Sequence, residues 1–362
     1  MSRIVISGYY GFANAGDEAM LAAIIGSLRR EEPELQVTVI SGNPTSTAAK
    51  HSVLSVHRFN LYQIIQAIRK SDLFLSGGGS LLQDVTSKQS LLYYLTIILL
   101  GRLLGKKTML YAQGIGPISS SFLRWLTKLV CNKVDTITVR DGDSLLELQR
   151  LGVNPEKVEL TADAVFTLTP ESLQLGRSFL EAEGIASEQP IVGIAVRQWP
   201  CRHDYLVELA AAADKLIEAS AVKIVLVPLQ KSKDMPACQR LRQLMQHREE
   251  AIIMQRSLDT GEYLSLIGNF RCLLGMRLHA LIFAAVMHVP FAALSYDPKI
   301  DGFIKEVDGV NLGKIDSVRR QDIFAAMVQM LGDSSHDFQA LEALRAKAQG
   351  NTKRAVALIR RP

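Results

Sequence analysis

The chain has 362 residues, of which 48% are hydrophobic and 21% charged, and its formal net charge is +5. The length is enough for two domains, the mixture is that of an ordinary globular protein, and the mildly basic balance is too weak to argue for nucleic acid while suiting an anionic small molecule or polymer. Four cysteines, at positions 131, 201, 238 and 272, show neither paired spacing nor a metal pattern, so reduced buried thiols in a cytoplasmic protein are expected, with no bound metal and no cofactor.

In chain order, Ile4–Ser7 reads as a buried strand running directly from the N-terminus, with no signal peptide before it. It leads through Gly8-Tyr-Tyr-Gly-Phe-Ala-Asn-Ala-Gly-Asp-Glu18 into a helix ending near Arg30, the strand–loop–helix unit of an open α/β sheet. The glycine spacing is not that of a dinucleotide fingerprint. Strands follow at Val37–Ile40, closed by Gly42-Asn-Pro44, and at Leu73–Ser76, after a helix at Leu61–Lys70. The third strand ends in Gly77-Gly-Gly-Ser-Leu-Leu-Gln-Asp84. The apolar window Leu91–Leu104 is broken by Gly101 and Arg102 and is too short to cross a bilayer, so it reads as a core helix and membrane contact is at most peripheral. Further strands are placed at Thr108–Ala112, Thr136–Val139 and Leu160–Asp163. Polar stretches ending in Pro170 and Pro190 mark the domain junction. The alternation resumes with strands at Ile191–Val196, Lys223–Pro228, Ala251–Met254, a short run before Gly275, and Val289–Ser295, and with a helix over 204–219. Leu229–Asp234 looks like a mobile loop. Residues 336–362 read as helix, with Phe338, Leu341, Leu344, Ala348, Ala355 and Leu358 as its apolar stripe. The expected fold is therefore α/β, with residues 1–170 and 171–335 as two Rossmann-like domains facing across a cleft and 336–362 as a helix packing the halves.

In open parallel sheets ligands bind beyond the carboxyl ends of the strands, and there the candidate residues lie. Arg277 and His279 sit where a strand turns at Gly275 into a buried helix: an anion-clamping fork beside an acid/base imidazole, at a helix start that favours negative charge. Both point to one pocket only if residues 276–279 precede the regular helix, as expected here; the alternative is a surface arginine and a satisfied core histidine. Gly77, Gly78 and Gly79 would let a backbone approach a ligand and form an anion nest, or make a tight turn. Gln83 and Asp84 are candidates to hold sugar hydroxyls. Asn14 and Asp17 cap a helix or point at substrate. Arg197 joins the set from its place at a strand end.

Taken together, Gly8-Tyr-Tyr-Gly…Asn14…Gly16-Asp-Glu18, Gly77-Gly-Gly-Ser80…Asp84, Gln113-Gly-Ile-Gly-Pro117, Val139-Arg-Asp141…Ser144, Asp163-Ala, Gly275-Met-Arg-Leu-His-Ala280 and Tyr296-Asp-Pro-Lys299 resemble the polysaccharide pyruvyl transferase family, CsaB type, over residues 1 to about 300. The resemblance implies two Rossmann-like domains in the glycosyltransferase B arrangement. It also implies transfer of a pyruvyl group from phosphoenolpyruvate to a sugar of a cell-wall or capsular glycan, or its lipid-linked precursor, as a cyclic ketal. It implies phosphoenolpyruvate binding and catalysis by Arg277 and His279, with Arg140 and Lys299 as further substrate-binding cations. Two readings compete with it: a nucleotide-sugar glycosyltransferase of the same two-domain shape, and a non-catalytic glycan- or phosphate-binding module.

Overall fold

The computed structural model describes residues 2–85, 87–169, 171–186, 188–200, 204–307, 309–332 and 339–360. Pro170, Cys201 and Phe338, which figure in the sequence reading, lie outside the described residues. The chain forms two compact units, residues 1–168 with 343–362, and residues 169–342.

The first unit is built on β1 (Arg3–Ser7), β2 (Gln36–Ser41), β3 (Leu54–His57), β4 (Leu73–Ser76), β5 (Gly79–Leu82), β6 (Lys107–Ile115), β7 (Thr136–Val139) and β8 (Val158–Leu160). Their order is β3-β2-β1-β4-β6-β7-β8, with β5 laid beside β6. Every pair is parallel. Parallel strands need crossover helices, which cover both faces and explain why β1 and β4 are almost uniformly apolar. One face is packed by the helices Leu61–Lys70, Lys88–Leu103, Ser121–Lys133 and Gly142–Leu151. The other is packed by Ala15–Glu31 and by Ala355, Val356 and Leu358 of the last helix, Gln339–Arg360. Asn351 of that helix accepts from Thr161 Oγ1 at 2.8 Å, and Thr352 pairs with the Tyr111 hydroxyl at 2.8 Å, so the C-terminus is stitched into the first unit by buried polar bonds.

The second unit carries β9 (Ile191–Ala195), β10 (Lys223–Leu226), β11 (Ala251–Ile253), β12 (Cys272–Gly275), β13 (Phe291–Ser295) and β14 (Val310–Lys314), in the order β11-β10-β9-β12-β13-β14 and again all parallel. The helices Tyr205–Ser220, Lys231–Leu244 and Arg320–Gly332 share one core with its strands. Both sheets therefore reverse direction of growth once, between β1 and β4 and between β9 and β12. A ligand crevice belongs beyond the strand ends at such a point.

The sequence reading needs correction in four places. Gly42-Asn-Pro44 is not only a turn: Asn43 caps a helix, Pro44–His51, accepting from Ser46 N–H at 3.2 Å, with the proline at the first helical position. The polar strand β3 behind it has no fully buried residue and left no apolar signature. The strand expected at Leu160–Asp163 lies at Val158–Leu160 instead. Leu229–Asp234 is not a free loop: a helix starts at Lys231 and Asp234 is wholly buried.

Candidate active site

The second unit's switch point is set by register. Ala195 ends β9 opposite Gly275, which ends β12, and Met276 N–H donates to the Ala195 carbonyl at 2.9 Å. Two residues beyond each end stands an arginine, Arg197 on one side and Arg277 on the other. Both strands are completely buried, so the first residues able to present charge are those just past them.

Arg277 has extended backbone, φ −89° and ψ 119°, and is the N-cap of the helix Leu278–Val286 without a side-chain cap. Its carbonyl accepts the first helical bonds, from Ala280 and Leu281. The expectation that residues 276–279 all precede the helix is therefore corrected: the helix begins at Leu278 and His279 is its second residue. Arg277 itself is not helical, so the geometric objection to two residues of one helix sharing a pocket does not apply to this pair. His279 is half-buried in the first turn, where backbone N–H groups are unpaired and the helix dipole is positive.

The Arg277 guanidinium is anchored from behind. Its Nε donates to both Asp234 oxygens at 3.1 Å, and its Nη2 donates to Oδ1. The Asp234 carboxylate, fully buried, also accepts from Gln230 N–H at 2.8 Å. A buried carboxylate needs such partners, and here they fix one edge of the arginine fork. Sequence reasoning missed Asp234 because Pro236 sits inside its helix and masked the helical signal.

Arg197 is held differently. Its Nη1 donates to the Tyr296 hydroxyl at 2.9 Å, and its guanidinium carbon lies 5.1 Å from the Trp199 ring centre and 5.0 Å from that of Tyr296. The Tyr205 hydroxyl donates to the Arg197 carbonyl at 2.5 Å and accepts from Trp199 N–H at 3.2 Å, pinning the loop. Tyr296 follows β13, the other neighbour of β12. Lys299 stands in the first turn of the helix Pro298–Glu306, capped by Asp297, which accepts from Lys299 N–H at 3.1 Å. Three adjacent strands, β9, β12 and β13, thus deliver Arg197, Arg277 and Lys299 to one end of one sheet, with His279 beside them.

The first unit's candidates are occupied by their own neighbours. Asn14 caps the helix Ala15–Glu31, accepting from Gly16 N–H at 3.2 Å, and its amide donates to Asp17 at 2.5 Å. The cap reading of this pair is the one the geometry favours. A Cβ on Gly77 would strike the hydroxyl of the fully buried Tyr10; one on Gly78 would come within 3.0 Å of Met20 Sδ; Gly79 has φ +111°. The fold itself therefore calls for glycine at 77 and 79, whether or not a ligand does, while at 78 an added Cβ would only press on the flexible Met20 side chain. Gln83, half-buried, follows β5. Asp84 was expected to hold sugar hydroxyls, but its carboxylate accepts from Ser119 N–H with both oxygens and from Ser120 N–H, all at 2.9 Å, bracing the start of a helix. Arg140, at the end of β7, donates from Nη1 to Asp163 at 2.5 Å and from Nη2 to Ser80 Oγ at 3.0 Å, and is nearly buried. Its charge is already neutralised, unlike that of Arg197.

Comparison with known proteins bears on this site. The sequence pattern of the family described as polysaccharide pyruvyl transferase matches residues 14–298. The amylovoran biosynthesis protein AmsJ of Erwinia amylovora is 22% identical over 358 residues, covering 84% of this chain and 86% of AmsJ. Among solved structures, the UDP-GlcNAc 2-epimerase of Methanocaldococcus jannaschii superposes with a TM-score of 0.68 at 14% identity, over 99% of this chain and 100% of that one. Anabaena Alr3699/HepE in complex with UDP and glucose gives 0.61 at 12% identity, over 99% and 97%. At such identities these likenesses speak to fold alone, and they agree with two Rossmann-like domains of the glycosyltransferase B class.

Proposed function

The chain belongs to the polysaccharide pyruvyl transferase family, and from that premise we propose that it moves the pyruvyl group of phosphoenolpyruvate onto a sugar of a cell-surface polysaccharide, or of its lipid-linked precursor, as a cyclic ketal. The observation that carries this reading is the register-paired exit of Arg197 and Arg277 at the β9/β12 switch point, with His279 and Lys299 at the same sheet end. Phosphoenolpyruvate brings a carboxylate and a phosphate, and such a dianion needs several cations on rigid supports. Asp234 and Tyr296 are those supports.

In the proposed reaction His279 protonates the methylene carbon of phosphoenolpyruvate, leaving positive charge on the central carbon. One sugar hydroxyl adds there and loses its proton to the imidazole. Phosphate departs with the electrons of its C–O bond, its charge met by the arginines, and a second hydroxyl closes the ring and gives up its proton. The sum is phosphoenolpyruvate plus a diol giving a ketal plus phosphate. The likeness to a protein of amylovoran biosynthesis supports a polysaccharide acceptor, and a cytoplasmic location with no metal or organic cofactor is part of the reading.

A second reading, nucleotide-sugar-dependent transfer, draws on fold neighbours solved with UDP. One assay separates the two. Phosphate release from phosphoenolpyruvate is followed with and without glycan acceptors, and the glycan is weighed by mass spectrometry. Acceptor-dependent release together with a glycan heavier by one pyruvate less one water supports pyruvyl transfer. Release of UDP from a UDP-sugar, with phosphoenolpyruvate left intact, supports the other.

A further inference from the structure

We propose that the outer face of the helix layer in the first unit docks onto a membrane containing anionic lipid. No helix among the described residues is long and apolar enough to cross a membrane, so the contact meant here is with its surface. The observations come from three of the four helices over one face of the first sheet; the fourth, Gly142–Leu151, carries the exposed Asp143.

Helix Ser121–Lys133 has two opposite apolar stripes. Leu123, Thr127, Val130 and Cys131 are buried against the sheet. Phe122 and Trp125, 59% and 57% exposed, and Leu129, 36% exposed, recur at helical spacing on the other side. A helix in a globular domain needs only the first stripe. The Phe122 and Trp125 rings lie 6.0 Å apart and form one outward patch. Tyr62 and Phe59, 74% and 73% exposed, stand at the start of helix Leu61–Lys70, and Leu103 is 72% exposed at the end of Lys88–Leu103. Among the described residues, all but one of the strongly exposed aromatic side chains belong to this layer, the exception being Trp199.

Charge on the same helices is one-sided. Leu61–Lys70 carries Arg69 and Lys70 and no acid, Lys88–Leu103 carries Lys88 and Arg102 and no acid, and Ser121–Lys133 carries Arg124, Lys128 and Lys133 and no acid. Arg102 and Arg124 are neutralised from neighbouring elements by Asp135 and Glu147. Lys128 and Lys133 are exposed, and among the described residues neither has a carboxylate partner. On helix Ser121–Lys133, exposed Trp and Phe flanked by lysines, with no acid in the helix itself, is the composition of a helix lying in a lipid headgroup region: the rings enter the acyl boundary and the ammonium groups meet anionic headgroups. A protein partner of ordinary acidity would meet cations but leave the aromatic patch without an apolar counterpart, and a second copy would set lysine against lysine. The inference is independent of the pyruvyl reading, although it would put the protein where a lipid-linked acceptor lies.

The test is flotation of the full chain with vesicles of phosphatidylcholine alone and with added phosphatidylglycerol, at low and high salt. Binding is expected to anionic vesicles and to weaken with salt. Phe122→Ser with Trp125→Ser should lower the partition coefficient by about tenfold or more, and Lys128→Gln with Lys133→Gln by about fivefold per charge. Both positions are exposed, so melting temperatures near wild type and unchanged activity on a soluble acceptor are expected to accompany the loss. Absence of binding to either vesicle, or binding untouched by both pairs of substitutions, overturns the proposal. So does a concentration-dependent dimer, seen by sedimentation, that Phe122→Ser with Trp125→Ser dissolves, because the face would then be covered by another copy of the chain.

Discussion

The two switch points have the same topology and differ in how far their cations are closed in. At the β1/β4 end of the first sheet and the strands beside it, polar groups are turned inward: Arg140 is closed by Asp163, Asp84 by two backbone N–H groups, and Gly77 by the Tyr10 hydroxyl. At the β9/β12 end of the second sheet, the supporting groups lie behind the cations. Asp234 holds Arg277 along one edge, and an uncharged phenol holds Arg197. Arg140 and Arg277 are each neutralised by a buried carboxylate, but Arg277 keeps a partly exposed edge, and the charge of Arg197 is oriented by an uncharged partner. The second arrangement is the one suited to an anionic substrate, and the comparison makes the two units respond differently to similar changes.

The largest expected effect is at the acid/base position. His279→Asn should lower the rate of phosphate release by ~10²–10⁴-fold while leaving phosphoenolpyruvate affinity within a few-fold; activity within tenfold of wild type would remove His279 from the chemistry. Next come the two buried carboxylates. Asp163→Ala strands the buried Arg140 and should lower stability by about 3–5 kcal/mol in denaturant titrations, and Asp234→Ala, which strands the half-buried Arg277, should cost less. The milder Asp234→Asn should weaken phosphoenolpyruvate binding, whereas Asp163→Asn should not. Equal losses of affinity would erase the contrast between the units. A smaller effect sits under the triple glycine. Gly77→Ala should cost about 1–3 kcal/mol through overpacking against the Tyr10 hydroxyl, and Tyr10→Phe should recover much of it in a double-mutant cycle. The smallest is a pH effect at Glu18. Burial raises its pKa, but hydrogen bonds from the His51 ring and Gly11 N–H outweigh this and hold it below the ordinary carboxylate value. A depressed folded-state pKa contributes stability that is present above the unfolded value and lost as pH falls through the folded one. Glu18→Gln should therefore flatten the acid side of the stability profile below about pH 4.3.

Much of this was legible in the sequence because fully buried parallel strands are short, apolar and punctuated. Leu61–Lys70, Leu73–Ser76 and Thr136–Val139 lie where their patterns placed them. Arg197 and Arg277 stood out because charge just past a buried strand end is a pattern of the chain itself. What was hidden depends on partners distant in sequence. Asp234 bears on the site through Arg277, 43 residues away. Gly77 is required by Tyr10, and Asp84 is spent on Ser119 and Ser120, contacts that no local period encodes. The edge strand β3 was invisible because half-exposed polar residues need no apolar alternation.

The account rests on the second unit holding the anion, and calorimetric titration of phosphoenolpyruvate tests that most directly. Wild type should bind with one-to-one stoichiometry. Replacing the pair together, Arg277→Met with Asp234→Asn, keeps the buried charges balanced and should weaken binding by about tenfold or more, the scale of a lost charge-assisted bidentate contact. Unchanged affinity in that double variant, with its fold intact by circular dichroism, would contradict the assignment.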